Sequence, residues 1–160
     1  MFTVELVGQR ELSLRLTSMP AAVRTALVKK TTSLALQLEA LVKSKLGGIV
    51  LNVVTGALRR SISHKVSAEA TRVGATVFSG GDVKYAGIHE FGGTIHVPEI
   101  VPVKAKALHF VIGAKDVFAT RVRAHDVVMP ERSFLRSSLE DMHEDIIEGL
   151  REAVNEGLRE

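Results

Sequence analysis

The 160-residue chain has no cysteine and no tryptophan, and its aromatic residues are one tyrosine and six phenylalanines. Without cysteine there is no disulfide framework, no thiol nucleophile and no thiolate metal site, which fits a reducing compartment. The few aromatics are not interleaved with the basic clusters, which argues against stacking on single-stranded nucleic acid. No stretch approaches the ~18 uncharged apolar residues of a membrane span. The start, MFTVELVGQRELSLRL, lacks the basic opening and apolar block of a signal peptide. The expectation is a soluble single domain, 1–160, made in the cytoplasm, with no internal repeat and no low-complexity tract.

Charge is present but unevenly placed. The net balance is +3, yet residues 1–136 hold 19 Lys and Arg against 10 Asp and Glu, a balance of +9, and residues 137–160 hold 2 against 8, or −6. A basic body with an acidic tail suits a nucleic-acid partner, self-assembly in which one subunit's tail meets the next subunit's body, or a plain solvated helix face.

Periodicity predicts the elements. FTVELVG, Phe2 to Gly8, alternates as an opening or edge strand. Ser18 as N-cap and Pro20 in the first turn open a long amphipathic helix with Val23, Leu27, Leu34, Leu38, Leu41 and Val42 on one side, ended by Gly47-Gly48. Thr55 is the candidate N-cap of a short helical turn over Ala57 to Ser61. SHKVSAEA and RVGATVFS pair as an antiparallel hairpin turning near Ala70-Thr71. Pro98 and Pro102 keep Thr94 to Val103 extended and out of a central strand. AKALHFVIG and VFATRVRAHDVVM are further strands, the second placing Arg121, Arg123 and His125 on one face before Pro130 closes it. A C-terminal helix follows, with Leu135, Leu139, Met142, Ile146, Leu150, Val154 and Leu158 on one side and Glu140, Asp141, Glu144, Asp145 and Glu148 on the other. The predicted fold is α+β: a small, mostly antiparallel sheet flanked by a long N-terminal and a long C-terminal helix, plus one short helix.

The most chemical-looking string is YAGIHEFGG, Tyr85 to Gly93. His89-Glu90 begins the zinc-protease pattern H-E-x-x-H, but Gly93 stands where the second imidazole belongs, and the other histidines lack ligand spacing. No G-x-S-x-G elbow and no phosphate-binding glycine loop occurs. Metal-dependent hydrolysis is therefore disfavoured, and enzyme function with it. Tyr85, Ile88 and Phe91 recur every three residues, so the string is expected to be a short helix with these three toward a core. Gly92-Gly93 would turn the chain out, leaving His89 and Glu90 on the open side.

Three segments, TGALRRSI (Thr55 to Ile62), YAGIHEFGGTI (Tyr85 to Ile95) and MPERSFLRSSLE (Met129 to Glu140), occur in this order. Together they resemble the virion morphogenesis or tail completion proteins of long-tailed bacteriophages, a group similar to the neck proteins that join tail to head. The resemblance spans about residues 50–140. It implies a small α+β subunit without catalysis or cofactor. Such subunits assemble as a ring, usually sixfold, between the head connector or head completion protein and the tail tube or tail terminator protein, in a virion built in the host cytoplasm. It assigns assembly-interface roles to Tyr85, His89, Glu90, Phe91, Gly92 and Gly93, and to Pro130, Arg132, Phe134 and Leu135. The insertion IHVPEIVPVKAKALHF departs from minimal members by its length. If the ring encloses a DNA channel, Lys104, Lys106, Arg121 and Arg123 are the expected lumen or inter-subunit cations, in non-specific contact with genomic double-stranded DNA. The alternative is a non-specific nucleic-acid-binding accessory protein whose affinity falls with salt.

Overall fold

Twenty-four residues free of proline and glycine, Ala21–Ser44, form helix α1. Its buried stripe is Val23, Leu27, Thr31, Leu34, Ala35, Leu38 and Val42, at the three- and four-residue spacing of one helix face. A single π-type turn, Lys45–Ile49, ends it, with Gly48 at φ +119° and the Val50 N–H donating to the Lys45 carbonyl at 2.9 Å. The glycine pair therefore stops the helix as expected, because a left-handed residue costs least without a Cβ. The structure is a computed structural model that describes residues 3–5, 21–51, 55–69, 72–81 and 83–159. The expected cap Ser18, Pro20 and the hairpin turn at Ala70-Thr71 lie outside the described residues, as does most of the opening strand.

Helix α2, Ala57–Ser61, has Gly56 at its N-cap with φ +71°. Thr55 acts one residue earlier than expected: its hydroxyl accepts the Ala57 N–H at 3.3 Å, and its carbonyl accepts from the Arg60 guanidinium at 3.1 Å. The expected hairpin follows as β2, Ile62–Ala68, and β3, Val73–Ser79, in a register running from Ile62↔Ser79 to Ala68↔Val73. Strand β1, Thr3–Glu5, pairs with the other side of β3, so the order is β1-β3-β2. Ala75, Val77 and Ser79 alternate as the buried positions of β3, and α1 packs on β2 and β3.

The C-terminal apolar repeat is two helices where the periodicity predicts one: α4, Leu135–Asp141, and α5, His143–Gly157, break at Met142. The Ser137 and Ser138 hydroxyls bond back to the carbonyls of Ser133 and Phe134 at 2.7 and 2.6 Å, and such back-bonding bends helices. Met142 stays on the buried face, so the repeat survives the break, whereas Leu158 lies past the helix end and is exposed. The main core joins Leu34, Leu38, Val42, Ile62, Val77 and Phe134 with Ala86 and neighbours from α2 and α5; Val23, Leu27 and Ala153 form a second cluster.

Between hairpin and α4 runs a different kind of structure. Helix α3, Ala86–Phe91, leads into β4, Gly93–Val97; then come β5, Leu108–Ile112, β6, Lys115–Ala119, and β7, His125–Met129. Strands β4 and β7 pair antiparallel from Gly93↔Met129 to Val97↔His125, and a bridge between Ile100 and Val122 continues the ladder. Strands β5 and β6 form a separate hairpin. The expected strand VFATRVRAHDVVM is thus divided between β6 and β7, and Arg121 and Arg123 fall in the irregular piece between them, not on a continuous strand face. The fold is α+β, and the described residues form three small antiparallel sheets rather than one. Residues 93–130 contain no buried side chain and project as an arm whose strands pack mainly on one another.

Helix α5 lies against α1 through small residues. A Cβ on Gly157 would stand 2.3 Å from the Val23 Cα, whereas one on Gly149 would meet the flexible Lys30 side chain, with Cε at 2.5 Å. Gly157→Ala is expected to lose about 1–3 kcal/mol despite the gain in helix propensity, and Gly149→Ala much less; urea denaturation of the two variants makes the comparison.

Candidate functional site

The second and third sequence motifs meet in space, and Glu90 is where they join. Helix α3 turns Ala86 and Glu90, one helical turn apart, into the interior, with Ala86 2% and Glu90 0% exposed. Tyr85 and Phe91 are 43% and 53% exposed. The expected orientation is therefore inverted: the aromatics face outward and the glutamate faces in. The reason is the hydrogen bonding available inside. The Phe134 and Leu135 N–H groups donate to Glu90 Oε2 at 2.8 and 2.9 Å. The Arg136 N–H and the Ser133 hydroxyl donate to Oε1 at 2.9 and 2.7 Å.

These donors are the first backbone N–H groups of α4, which have no partner within the helix. A carboxylate there also meets the positive end of the helix dipole. Ser133 completes the cap, because its hydroxyl oxygen accepts the Ser137 N–H at 3.2 Å. Burial pushes the Glu90 carboxyl up, yet the Leu135, Arg136 and Phe134 N–H groups and the Ser133 hydroxyl together outweigh it and hold the group below its ordinary value of 4.5. Glu90 is thus a buried anion held charged by its donors.

Further bonds close the joint. The Arg132 N–H donates to the His89 carbonyl at 2.8 Å. The Arg136 guanidinium donates to the Glu90 carbonyl at 3.2 Å and to Glu131 at 2.5 Å, and lies 5.0 Å from the centre of the Phe91 ring. Its Nε is 3.4 Å from Glu90 Oε1, in ion-pair range but not aligned as a hydrogen bond. Gly92, at φ +67°, is a geometric requirement: a Cβ there would sit 2.8 Å from the Glu131 backbone nitrogen and 3.0 Å from the Met129 carbonyl. Gly93 likewise approaches Ile88 Cδ1, at 2.9 Å from an added Cβ.

His89 is half-buried. Desolvation, and then the charge of Arg132, lower its pKa from the ordinary 6.5, so near neutral pH the ring is uncharged; it meets Tyr85 edge-on at 5.9 Å. Of the other residues singled out in the sequence, Phe134 and Leu135 are 0% and 2% exposed. They are core residues of the subunit, not surface contacts. Pro130, Arg132, Lys104, Lys106, Arg121 and Arg123 are exposed, and Arg121 lies 3.6 Å from Glu99. The four arm cations do not join the Glu90 cluster. His64, His96, His109 and His125 take separate partners: Glu39, Asp126, Asp116 and the Arg123 carbonyl in turn; His143 lies exposed at the start of α5. Among the described residues, no three His, Asp or Glu side chains converge as a metal-ligand set.

Sequence reasoning missed the clasp because its halves lie 44–46 residues apart. The available signal was that α4 carries no acidic residue in its first turn, while Ala86 and Glu90 share one face of α3. With its acceptor atoms occupied by backbone and hydroxyl donors, the cluster is a structural joint. The sequence model of the phage virion morphogenesis family matches residues 34–155, and the chain belongs to that family, whose role is structural, in virion assembly. No curated relative and no solved structure matches the chain.

The sign of the pH effect follows from the lowered Glu90 pKa. The clasp contributes fully above the unfolded value, 4.5, and its contribution is lost as pH falls through the lower folded value. Glu90→Gln, which leaves buried donors poorly paired, is expected to cost about 3 kcal/mol at pH 7 and to make the acid limb of the stability profile shallower. Urea denaturation from pH 7 down to pH 3 measures both.

Proposed function

We propose that the chain is a tail completion subunit that forms a ring, usually of six copies, at the neck of the virion, between the head connector and the tail tube. The observation that carries this reading is the arm. In a chain of a virion-building family, residues 93–130 bury no side chain, and isolated two-stranded ribbons are marginal in water without something to pack on. Exposed Arg123 suits a ring lumen, where it approaches the phosphates of passing DNA without reading its sequence, and exposed Lys104 and Lys106 suit a contact with a neighbouring subunit. A role as an accessory nucleic-acid-binding protein has less support: these cations are spread along the arm, and Arg121 already has Glu99 beside it.

Electron microscopy of particles made without this protein tests the reading. Filled heads separate from finished tails are expected; intact, infectious, joined particles would overturn it.

A further inference from the structure

Among the described residues, most of the large apolar side chains that stay exposed are on the arm, including Val101 at 54%, Val103 at 93%, Ile112 at 65%, Phe118 at 70% and Val128 at 76%. An exposed apolar surface of this extent marks an interaction site. The open edges of β4, β5, β6 and β7 reinforce the point, since two-stranded ribbons leave unpaired backbone groups on both sides. The extended run from Gly93 to Val103 can reach about 33 Å from the body, which is far enough to lie across an adjacent subunit.

Charge identifies what covers it. The three acidic residues of the arm all have local partners: Glu99 with Arg121, Asp116 with His109 and Asp126 with His96. Lys104, Lys106, Lys115 and Arg123 have no ion pair among the described residues. On α4 and α5 the situation is reversed. Asp141 pairs with Lys45 and Glu152 with Lys30, but Glu140, Glu144 and Glu148 are exposed at four-residue spacing, without an ion pair among the described residues. Like charges so placed repel one another. The chain thus carries an uncompensated cationic arm and an uncompensated anionic helix face.

Resting on the ring reading above, we infer that the arm of one copy docks along the α4–α5 acidic face of a second copy of this chain, with the Val103–Lys106 segment against Glu140, Glu144 and Glu148. Because the two surfaces differ, the contact is heterologous. Each copy offers one arm and accepts another, and such an interface propagates head to tail and closes into a ring when the rotation permits.

A charge exchange tests this in phage whose own copy of the gene is inactivated. Lys104→Glu with Lys106→Glu, and separately Glu144→Lys with Glu148→Lys, should each lower the yield of joined particles at least tenfold. All four substitutions in one chain, or co-expression of the two double variants, should restore it, because each restores opposite charge across the contact. The absence of native cysteine permits a direct readout that does not depend on yield. Val103→Cys with Glu144→Cys in one chain, oxidised in assembled particles, should give a ladder of disulfide-linked multimers. If the arm variants fail, the exchange does not rescue and no ladder forms, the arm docks on another protein and the inference is overturned while the neck reading stands. Joined particles without the protein would overturn the neck reading; a ladder from the oxidised purified chain would then still support the contact between copies.

Discussion

A buried carboxylate must recover from protein donors what it loses from water, and Glu90 does so from the start of α4. The rest of the architecture depends on that exchange. The four donors fix α3 against α4, and this holds Phe134 and Leu135 in the core between α1 and the hairpin. They also bring together the two points at which the chain leaves and re-enters the body, since Glu90 immediately precedes the arm and Ser133 to Arg136 immediately follow it. Gly92 is the corollary: with the ends this close, backbone meets backbone and no side chain fits between them.

The molecule consequently divides its apolar residues between two purposes. In the body they fall on single faces, with α1 and α5 close enough for Gly157 to lie against the Val23 backbone. In the arm they are left in solvent, and hydrogen bonding within the ribbons is the main internal support. Removing exposed apolar area from water is worth roughly 25 cal/mol per Å², so the arm retains a driving force for burial that the body has already used in folding. Charge separates in part along the same line, with Glu140, Glu144 and Glu148 exposed on α4 and α5 and Lys104, Lys106, Lys115 and Arg123 exposed on the arm.

Much of this was legible in the sequence, and the exceptions have physical causes. Helix α1, its glycine stop, the β2–β3 hairpin and the apolar side of α4 and α5 all follow from local periodicity, which a one-dimensional pattern expresses well. The inversion of α3 does not. Tyr85, Ile88 and Phe91 outnumber Ala86 in apolar content, and only a hydrogen-bonding partner more than forty residues away makes burial of Glu90 favourable. Thr55 illustrates the same limit on a smaller scale: its residue type suits a cap, but the left-handed Gly56 occupies that position. The split of the run from Val117 to Met129 was hidden because alternation continues through residues that lack a continuous partner strand. Local pattern identifies an element's apolar face only when no distant polar group claims another face.

The clasp also explains how an arm that buries nothing can still be directed. A two-stranded ribbon on flexible ends would sample many orientations, and ordering it on association would consume much of the free energy gained. Here β4 begins at Gly93 and β7 ends at Met129 in direct register, and the hydrogen bonds from Ser133 to Arg136 onto Glu90 tie the chain together within a few residues of both ends. The direction of the ribbon is therefore set by the fold of the subunit itself. A charged carboxylate serves this better than an apolar contact would, because its donors are backbone N–H groups at fixed positions and its geometry is directional. The His-Glu string that first suggests catalysis instead anchors the root of the arm through Glu90.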